Sequence, residues 1–232
     1  MTERGMIFNA EMVRAILDGR KTQTRRIMKV QPESNQLGLL LITDSTKHSD
    51  IGKYHWAESN ATGNHVRSKL FSCPFGAVGD RIWVRETWSS DFANYYPNDR
   101  VWYAADNNRR LDIEVVDGVR GIYSPESDVH VPFRWQPSIH MPRWASRILL
   151  EITDVRVERL NAISEEDARA EGIIDGGCLN CGEPEPCGCA NPEPDATDAF
   201  AYLWQSIYGQ DNWNANPWVW VIEFKHVEGG AV

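Results

Sequence analysis

Residues 9–26 read NAEMVRAILDGRKTQTRR, and this stretch decides the expected fold because a short helix leads directly into a basic turn. Asn9 is a good N-terminal cap, and Gly19 lies where a helix commonly ends in a left-handed residue. The apolar residues between them recur at helical spacing, at Val13, Ile16 and Leu17. The pattern predicts a helix over residues 9–18, followed by a turn that projects the basic side chains of Arg20–Arg26.

The rest of the chain alternates strand-like and helix-like segments. The strand candidates are Asp80–Trp88, Val101–Ala105, Arg147–Leu160 and Trp218–Lys225. The helix candidates begin at Ser164 and at Asp195 or Asp198, and they end at Gly172 and Gly209. The second of these helices presents Phe200, Leu203, Trp204 and Ile207 on one face. Residues 31–78 are polar and show little periodicity, which is typical of a long insertion. The order of elements predicts a single α+β domain over residues 1–232, built around a small barrel.

Charge is distributed unevenly along the chain. The net charge is −9, and the segment from Glu158 to Asp198 carries 11 acidic and two basic residues, so the remainder is neutral overall. Two acid-free basic patches lie in that remainder. The first contains Arg20, Lys21, Arg25, Arg26 and Lys29, and the second contains Arg134, Arg143 and Arg147. Such patches can contact a few phosphates of a nucleic acid, whereas the acidic segment could bind a protein partner.

No apolar run approaches the ~20 residues needed to cross a membrane, and the first residues lack the apolar core of a signal peptide. We therefore expect a cytoplasmic protein that does not enter a membrane. In that compartment cysteines are usually reduced or bound to metal rather than paired.

Four cysteines form a compact cluster with the spacing C-x2-C-x5-C-x-C, at Cys178, Cys181, Cys187 and Cys189. The surrounding glycines and prolines cannot build an apolar core, so four thiolates around one Zn²⁺ would hold the segment together. Four protein ligands leave no open position, which predicts a structural zinc rather than a catalytic one. The alternative is an acidic loop with reduced thiols.

Lys21 and Thr24 are three residues apart, so in a helical or 3₁₀ turn their side chains would meet on one side. A partly buried lysine can lose its proton near neutral pH and act as a base for a threonine hydroxyl. A carboxylate such as Glu171 could orient the lysine or transfer a proton. The spacing alone favours a simpler interpretation, a solvated basic turn that binds phosphate or nothing.

The helix followed by Gly19-Arg20-Lys21-Thr22-x-Thr24-x-Arg26 resembles the signature of ASCH-domain proteins of the PUA-like superfamily. Three further segments occur in the order that this family has: Gly79–Val84, Ile152–Val155 and Val221–Lys225. The long form, with Val84–Trp88 and His140–Arg147, is similar to members encoded by phages and prophages. The resemblance implies a PUA-like small β-barrel with flanking short helices, and with insertions at approximately 31–78, 89–146 and 174–194.

The family includes a small bacterial amidohydrolase of N4-acetylcytidine. Its catalytic lysine, threonine and glutamate correspond by this resemblance to Lys21, Thr24 and Glu171, although Glu165 and Glu166 share the same helix. The resemblance also implies that Arg26 holds the base or an oxyanion. Arg25 is also expected to bind the substrate, and it stands where the compact enzyme has an apolar residue.

Three further residues are candidates for binding a substrate. Glu86 and Trp88 are two positions apart, so in a strand they would lie on one face, where Trp88 could stack on a base and Glu86 could accept from an amine. The alternative is a core tryptophan beside a glutamate that is paired with an arginine. Arg143 belongs to a stretch, 141–144, that would either cover the site or form an ordinary ordered loop.

Three functions are consistent with these residues. The first is an amidohydrolase of an N-acylated, cytidine-like nucleoside. The second is a non-catalytic module that binds RNA or modified DNA through the same pocket. The third is a phage protein that binds a host partner through its acidic segment.

Overall fold

A five-stranded sheet forms the centre of the fold in the computed structural model, which describes residues 1–34, 37–58, 68–90, 101–106, 113–116, 119–124, 129–132, 134–174 and 196–227. The strands are β1 (Glu3–Ile7), β2 (Gln23–Ile27), β3 (Leu37–Leu41), β4 (Tyr54–Glu58), β5 (Arg81–Arg85), β6 (Trp88–Ser89), β7 (Trp102–Tyr103), β8 (Ile113–Val116), β9 (Val119–Ser124), β10 (Val129–Pro132), β11 (Leu149–Arg159) and β12 (Trp218–His226). The helices are α1 (Ala10–Leu17), α2 (Glu165–Ala170), α3 (Ala196–Tyr208) and α4 (Gln210–Asn214). This mixture confirms the α+β class.

The central sheet has the strand order β1-β5-β11-β12-β2, with β1 parallel to β5 and the other neighbours antiparallel. β11 is the long strand that the alternation predicts, and its register with β12 shifts between Ile152 and Asp154. The edge strands β1 and β2 approach each other where Arg26 Nη2 donates a hydrogen bond of 2.8 Å to the carbonyl oxygen of Ile7. Among the described strands the sheet is open, because this link is made by a side chain rather than by a strand ladder.

Strand β12 is apolar on both faces because a different core covers each one. Trp220, Ile222 and Phe224 belong to the main core, which also contains α1 and the buried face of β5. The alternate residues Val219 and Val221 pack with α2 and α3. A strand buried on both faces reads as a nearly continuous apolar run, as this one does.

Residues 31–78 are more regular than the sequence predicts. They contain the antiparallel β3–β4 hairpin, and Trp56 on β4 is 1% exposed and lies 5.2 Å from the ring of Trp218. Low periodicity therefore did not exclude regular structure in this segment, and its being an insertion stays a prediction. The β3–β4 pair buries a tryptophan against the central sheet, and this burial stabilises the hairpin even though the segment is mostly polar.

The helix boundaries follow the predicted signals. Asn9 accepts a hydrogen bond from the backbone N–H of Met12, and Ser164 accepts one from that of Asp167, so both predicted caps are confirmed. Gly172 and Gly209 have positive φ angles of 89° and 86°, as expected for residues that follow helix ends. None of the described helices is long and apolar enough to cross a membrane.

The basic segment after α1 adopts a different structure from the predicted turn. Residues 23–27 form β2, which pairs with β12 along its full length, whereas the spacing of Lys21 and Thr24 predicts a helical or 3₁₀ turn. Pairing with a buried strand satisfies the backbone of this segment, and such long-range pairing overrides a local propensity.

Candidate functional site

A cavity of about 210 Å³ lies where the edge of β2 faces the end of β1, the start of α1 and one side of α3. This volume exceeds the ~30 Å³ share of a single water and falls below the ~300 Å³ typical of drug-sized ligands. It is therefore suited to one small ring system. The lining residues are Ile7, Asn9, Met12, Thr24, Arg25, Arg26, Glu171, Phe200, Leu203, Trp204, Ile207 and Tyr208.

Lys21 and Glu171 meet directly behind this cavity. Lys21 Nζ lies 2.5 Å from Glu171 Oε2 and 2.8 Å from the backbone oxygen of Glu171. The backbone positions the pair, because Lys21 N–H donates to Ala15 at the end of α1 and Thr22 N–H donates to Ala170 at the end of α2. The two residues also form an isolated antiparallel bridge.

Burial changes the acidity of this lysine. The Lys21 side chain is fully buried and the Glu171 side chain is 4% exposed. Burial lowers the pKa of the Lys21 ammonium below its usual value and outweighs the stabilising effect of Glu171, and the charges of Arg26 and Arg25 lower it further. The direction of this shift in the Lys21 pKa is the one that a lysine acting as a base requires.

Thr24 lines the cavity together with Glu171 and is 2% exposed. Within the described part of the chain no hydrogen bond joins the Thr24 hydroxyl to the amine of Lys21, whose two bonds go to Glu171. The structure therefore brings Lys21 to Glu171 and places Glu171 and Thr24 on the same cavity wall. A bound water or substrate would have to bridge Thr24 and Lys21 unless the side chains move.

The three glutamates in and just after α2 have separate positions. Glu165 accepts hydrogen bonds from the backbone N–H groups of Ala196 and Thr197 at the start of α3. Glu166 is exposed. Of the three, Glu171 alone contacts Lys21, which favours the assignment that the resemblance implied.

Arg25 is not part of an accessible basic patch. Its side chain is fully buried, and its guanidinium lies 2.8 Å from Asp167, 3.2 Å from Glu158 and 3.5 Å from Glu171. A guanidinium in this position cannot contact a phosphate of a nucleic acid. Arg25 nevertheless lines the cavity, so its expected contact with a substrate stays a prediction. Its carboxylate partners lie more than 130 residues away in sequence.

Arg26 stays close to its predicted place. It lines the cavity, its guanidinium stacks over Phe8 at 5.3 Å, and its Nε has no partner among the residues that the structure describes. Arg26 therefore brings a positive charge to the wall of the cavity.

Glu86, Trp88 and Arg143 lie elsewhere and do not line this cavity. Glu86 is paired through both oxygens with Arg147, at 3.0 and 3.1 Å, and burial raises the pKa of its carboxyl. Trp88 is 4% exposed in a small apolar cluster, and Arg143 pairs with Glu3 at 3.0 Å. The alternative of a core tryptophan beside a paired glutamate therefore describes these residues, and their expected substrate contacts were wrong for this cavity.

The far wall of the cavity comes from α3. The predicted apolar face of this helix contains Phe200, Leu203, Trp204 and Ile207, and all four line the cavity together with Tyr208. Phe200 and Trp204 are buried, whereas Ile207 is 47% exposed. A face that the periodicity predicts as core therefore also supplies aromatic rings to the site.

The zinc prediction falls on residues outside the described ranges, since Cys178, Cys181, Cys187 and Cys189 all lie between 175 and 195. Within the described ranges no cluster of histidine, cysteine, aspartate or glutamate could hold a metal ion. Cys73 is a free thiol, and burial raises its pKa. The zinc site stays a prediction.

No family model, no curated protein and no solved structure among those compared matches this chain. The chemistry of the site must therefore be inferred from its own side chains.

Proposed function

We propose that the chain is an ASCH-type protein of the PUA-like superfamily that hydrolyses the amide of an N-acylated, cytidine-like nucleoside. The observation that carries the proposal is the shared wall of one ring-sized cavity, where Thr24 and Glu171 lie together and the buried amine of Lys21 bonds to Glu171. The Arg26 hydrogen bond brings the two edge strands of this open sheet together, which is compatible with the small barrel that the resemblance implies.

In this mechanism Thr24 Oγ1 attacks the acyl carbon while Lys21, through a bridging water, takes the hydroxyl proton. The carbonyl oxygen becomes an oxyanion, and the guanidinium of Arg26, which lines the cavity, would stabilise its charge. The C–N bond then breaks, and the proton returns from Lys21 to the leaving amine. Water hydrolyses the acyl-threonine ester and releases the carboxylic acid, which restores Thr24.

Aromatic side chains supply the binding energy for the base. Phe200, Trp204 and Tyr208 form one side of the cavity, and a base stacked on such rings gains about 1–3 kcal/mol. A hydrogen-bonded Lys21–Glu171 pair below the ring would then face the exocyclic nitrogen rather than bulk water. The cavity leaves little room for more than a base, so the sugar would lie at its opening.

The test is hydrolysis of N4-acetylcytidine, followed as the release of cytidine and acetate. We expect Thr24→Val and Lys21→Met each to lower kcat/KM by about 10²–10⁴-fold, the usual contribution of a positioned base and its nucleophile. Thr22→Val is a matched control, because Thr22 is exposed and two residues away. Turnover by Thr24→Val within threefold of the wild-type protein would contradict the mechanism, and a wild-type protein that turns over no acylated nucleoside would contradict the function.

A non-catalytic base-binding module is the second candidate, and one observation favours it. Both hydrogen bonds of the Lys21 amine go to Glu171, and none goes to Thr24. If the protein is such a module, cytidine should bind wild-type protein and Thr24→Val with equal affinity, as measured by quenching of the fluorescence of Trp204. Neither protein should then turn over any acylated nucleoside.

A further inference from the structure

We propose that Arg25 is a positioning residue, whose buried guanidinium holds one oxygen of Glu171, leaves the other for Lys21, and by its charge keeps the Lys21 amine available as a base. This inference rests on the proposed function for its catalytic meaning. The contacts involve only Arg25, Glu171 and Lys21, so the effect of Arg25 on the Lys21 amine can be tested even if the proposed function is wrong.

The two oxygens of Glu171 are divided between two cations. Oε2 lies 2.5 Å from Lys21 Nζ, and Oε1 lies 3.5 Å from Arg25 Nη1. A carboxylate held at one oxygen cannot rotate freely, so its second oxygen stays directed at the lysine. The separation at Oε1 is at the limit of a hydrogen bond, which means that Arg25 restrains Glu171 mainly through charge.

The guanidinium itself is fixed from its other side. Arg25 Nη2 donates to Asp167 at 2.8 Å and to Glu158 at 3.2 Å. Asp167 is in turn held by Arg156 through both oxygens, at 2.9 and 3.0 Å, and Glu158 accepts from Arg156 Nε at 2.6 Å. This chain of ion pairs connects β2, β11 and α2. It holds the Arg25 side chain in place, and that side chain is itself fully buried.

The charge balance around Lys21 follows from these contacts. The charged groups that act on its amine are Glu171 from the end of α2 and Arg25 and Arg26 from β2. Asp18 and Arg20, near the end of α1, pair with each other at the surface instead. Glu171 favours the ammonium form, whereas the two arginines and the loss of water oppose it. Removing Arg25 therefore removes one of the groups that favour the neutral amine.

The experiment is a titration of the lysine side chains by ¹³C NMR, which is practical because the chain has six lysines. Comparison with Lys21→Met assigns the Lys21 resonance. In Arg25→Gln we expect the pKa of Lys21 to rise by about one unit, the lower end of the effect of a neighbouring charge. The acidic limb of the kcat/KM profile should move to higher pH by the same amount. Arg25→Lys keeps the positive charge but loses the planar set of guanidinium N–H donors. The pKa of Lys21 should therefore stay within about 0.3 unit of its wild-type value, while kcat falls by about tenfold.

Arg159→Met is the matched control, because Arg159 packs over the ring of Trp218 at 4.7 Å and donates to the backbone oxygen of Asn216 at 2.9 Å. A Lys21 pKa that is unchanged in Arg25→Gln, or that changes equally in Arg159→Met, overturns the inference. A shifted Lys21 pKa in a protein without hydrolytic activity would support the role of Arg25 and reject the proposed function. Should Arg25→Gln fail to fold, Arg25→Lys and the wild-type titration decide: a wild-type Lys21 pKa at or above its ordinary ~10.4 overturns the inference.

Discussion

Substitution of Gly172 by alanine should destabilise the protein through two separable effects. Gly172 follows Glu171 with a φ of +89°, and a Cβ at this position would lie 2.8 Å from Ala15 Cβ and 3.0 Å from Lys21 Cβ. A side chain in the left-handed region costs about 1–2 kcal/mol, and overpacking of a tight contact costs about 1–3 kcal/mol more. We therefore expect Gly172→Ala to lower the free energy of unfolding by about 2–5 kcal/mol.

Gly209→Ala isolates the conformational part of this cost. Gly209 has a nearly identical φ of +86°, but nothing lies within 4 Å of the position of its Cβ. Its substitution should cost only the ~1–2 kcal/mol of the left-handed backbone. The difference between the two variants is then the cost of the contacts with α1 and Lys21.

Urea unfolding followed by far-ultraviolet circular dichroism measures both losses. With a slope of about 2 kcal/mol per M, a loss of ~3 kcal/mol moves the midpoint by roughly 1.5 M. Equal losses for Gly172→Ala and Gly209→Ala, within about 0.5 kcal/mol, would refute the close approach of α1 to the end of α2.

Two further predictions concern the rest of the fold. Arg147→Met leaves the Glu86 carboxylate buried without its main partner and should cost about 3–5 kcal/mol at pH 8. Burial raises the pKa of Glu86 above its unfolded value of ~4.3, so the buried ionised form becomes more costly as the pH rises through the folded pKa. The loss of stability in Arg147→Met should therefore be smaller at pH 5 than at pH 8. Urea midpoints at the two pH values measure this difference, and equal losses would count against it. Trp56→Ala should cost about 3–5 kcal/mol in the same assay, because Trp56 belongs to the main core. Leu40 lies on the same hairpin but is 51% exposed, so Leu40→Ala should change the free energy of unfolding by no more than about 0.5 kcal/mol. A loss as small as this for Trp56→Ala would mean that the hairpin does not contribute to the core.

Local signals in the sequence predicted local structure well. Caps at Asn9 and Ser164, the ends of helices at Gly172 and Gly209, and the long alternating strand β11 all depend on neighbours within a few residues. Their outcomes agree with the predictions because backbone hydrogen bonding at a helix end is decided by the residues that flank it.

Long-range pairing was not predictable in the same way. The turn expected around Lys21 and Thr24 became strand β2 because β12, almost 200 residues later, supplies its ladder. Burial of Arg25 depends on Glu158, Asp167 and Glu171, and no pattern within residues 20–26 indicates them.

The pairing of Lys21 with Glu171 joins two positions that are 150 residues apart. A fragment that ends before α2, or one that begins after β2, contains only one member of this ion pair. Two pieces cut just before α2 would restore the pair by reassociating, and they would rejoin through the ladders that β12 forms with β11 and with β2.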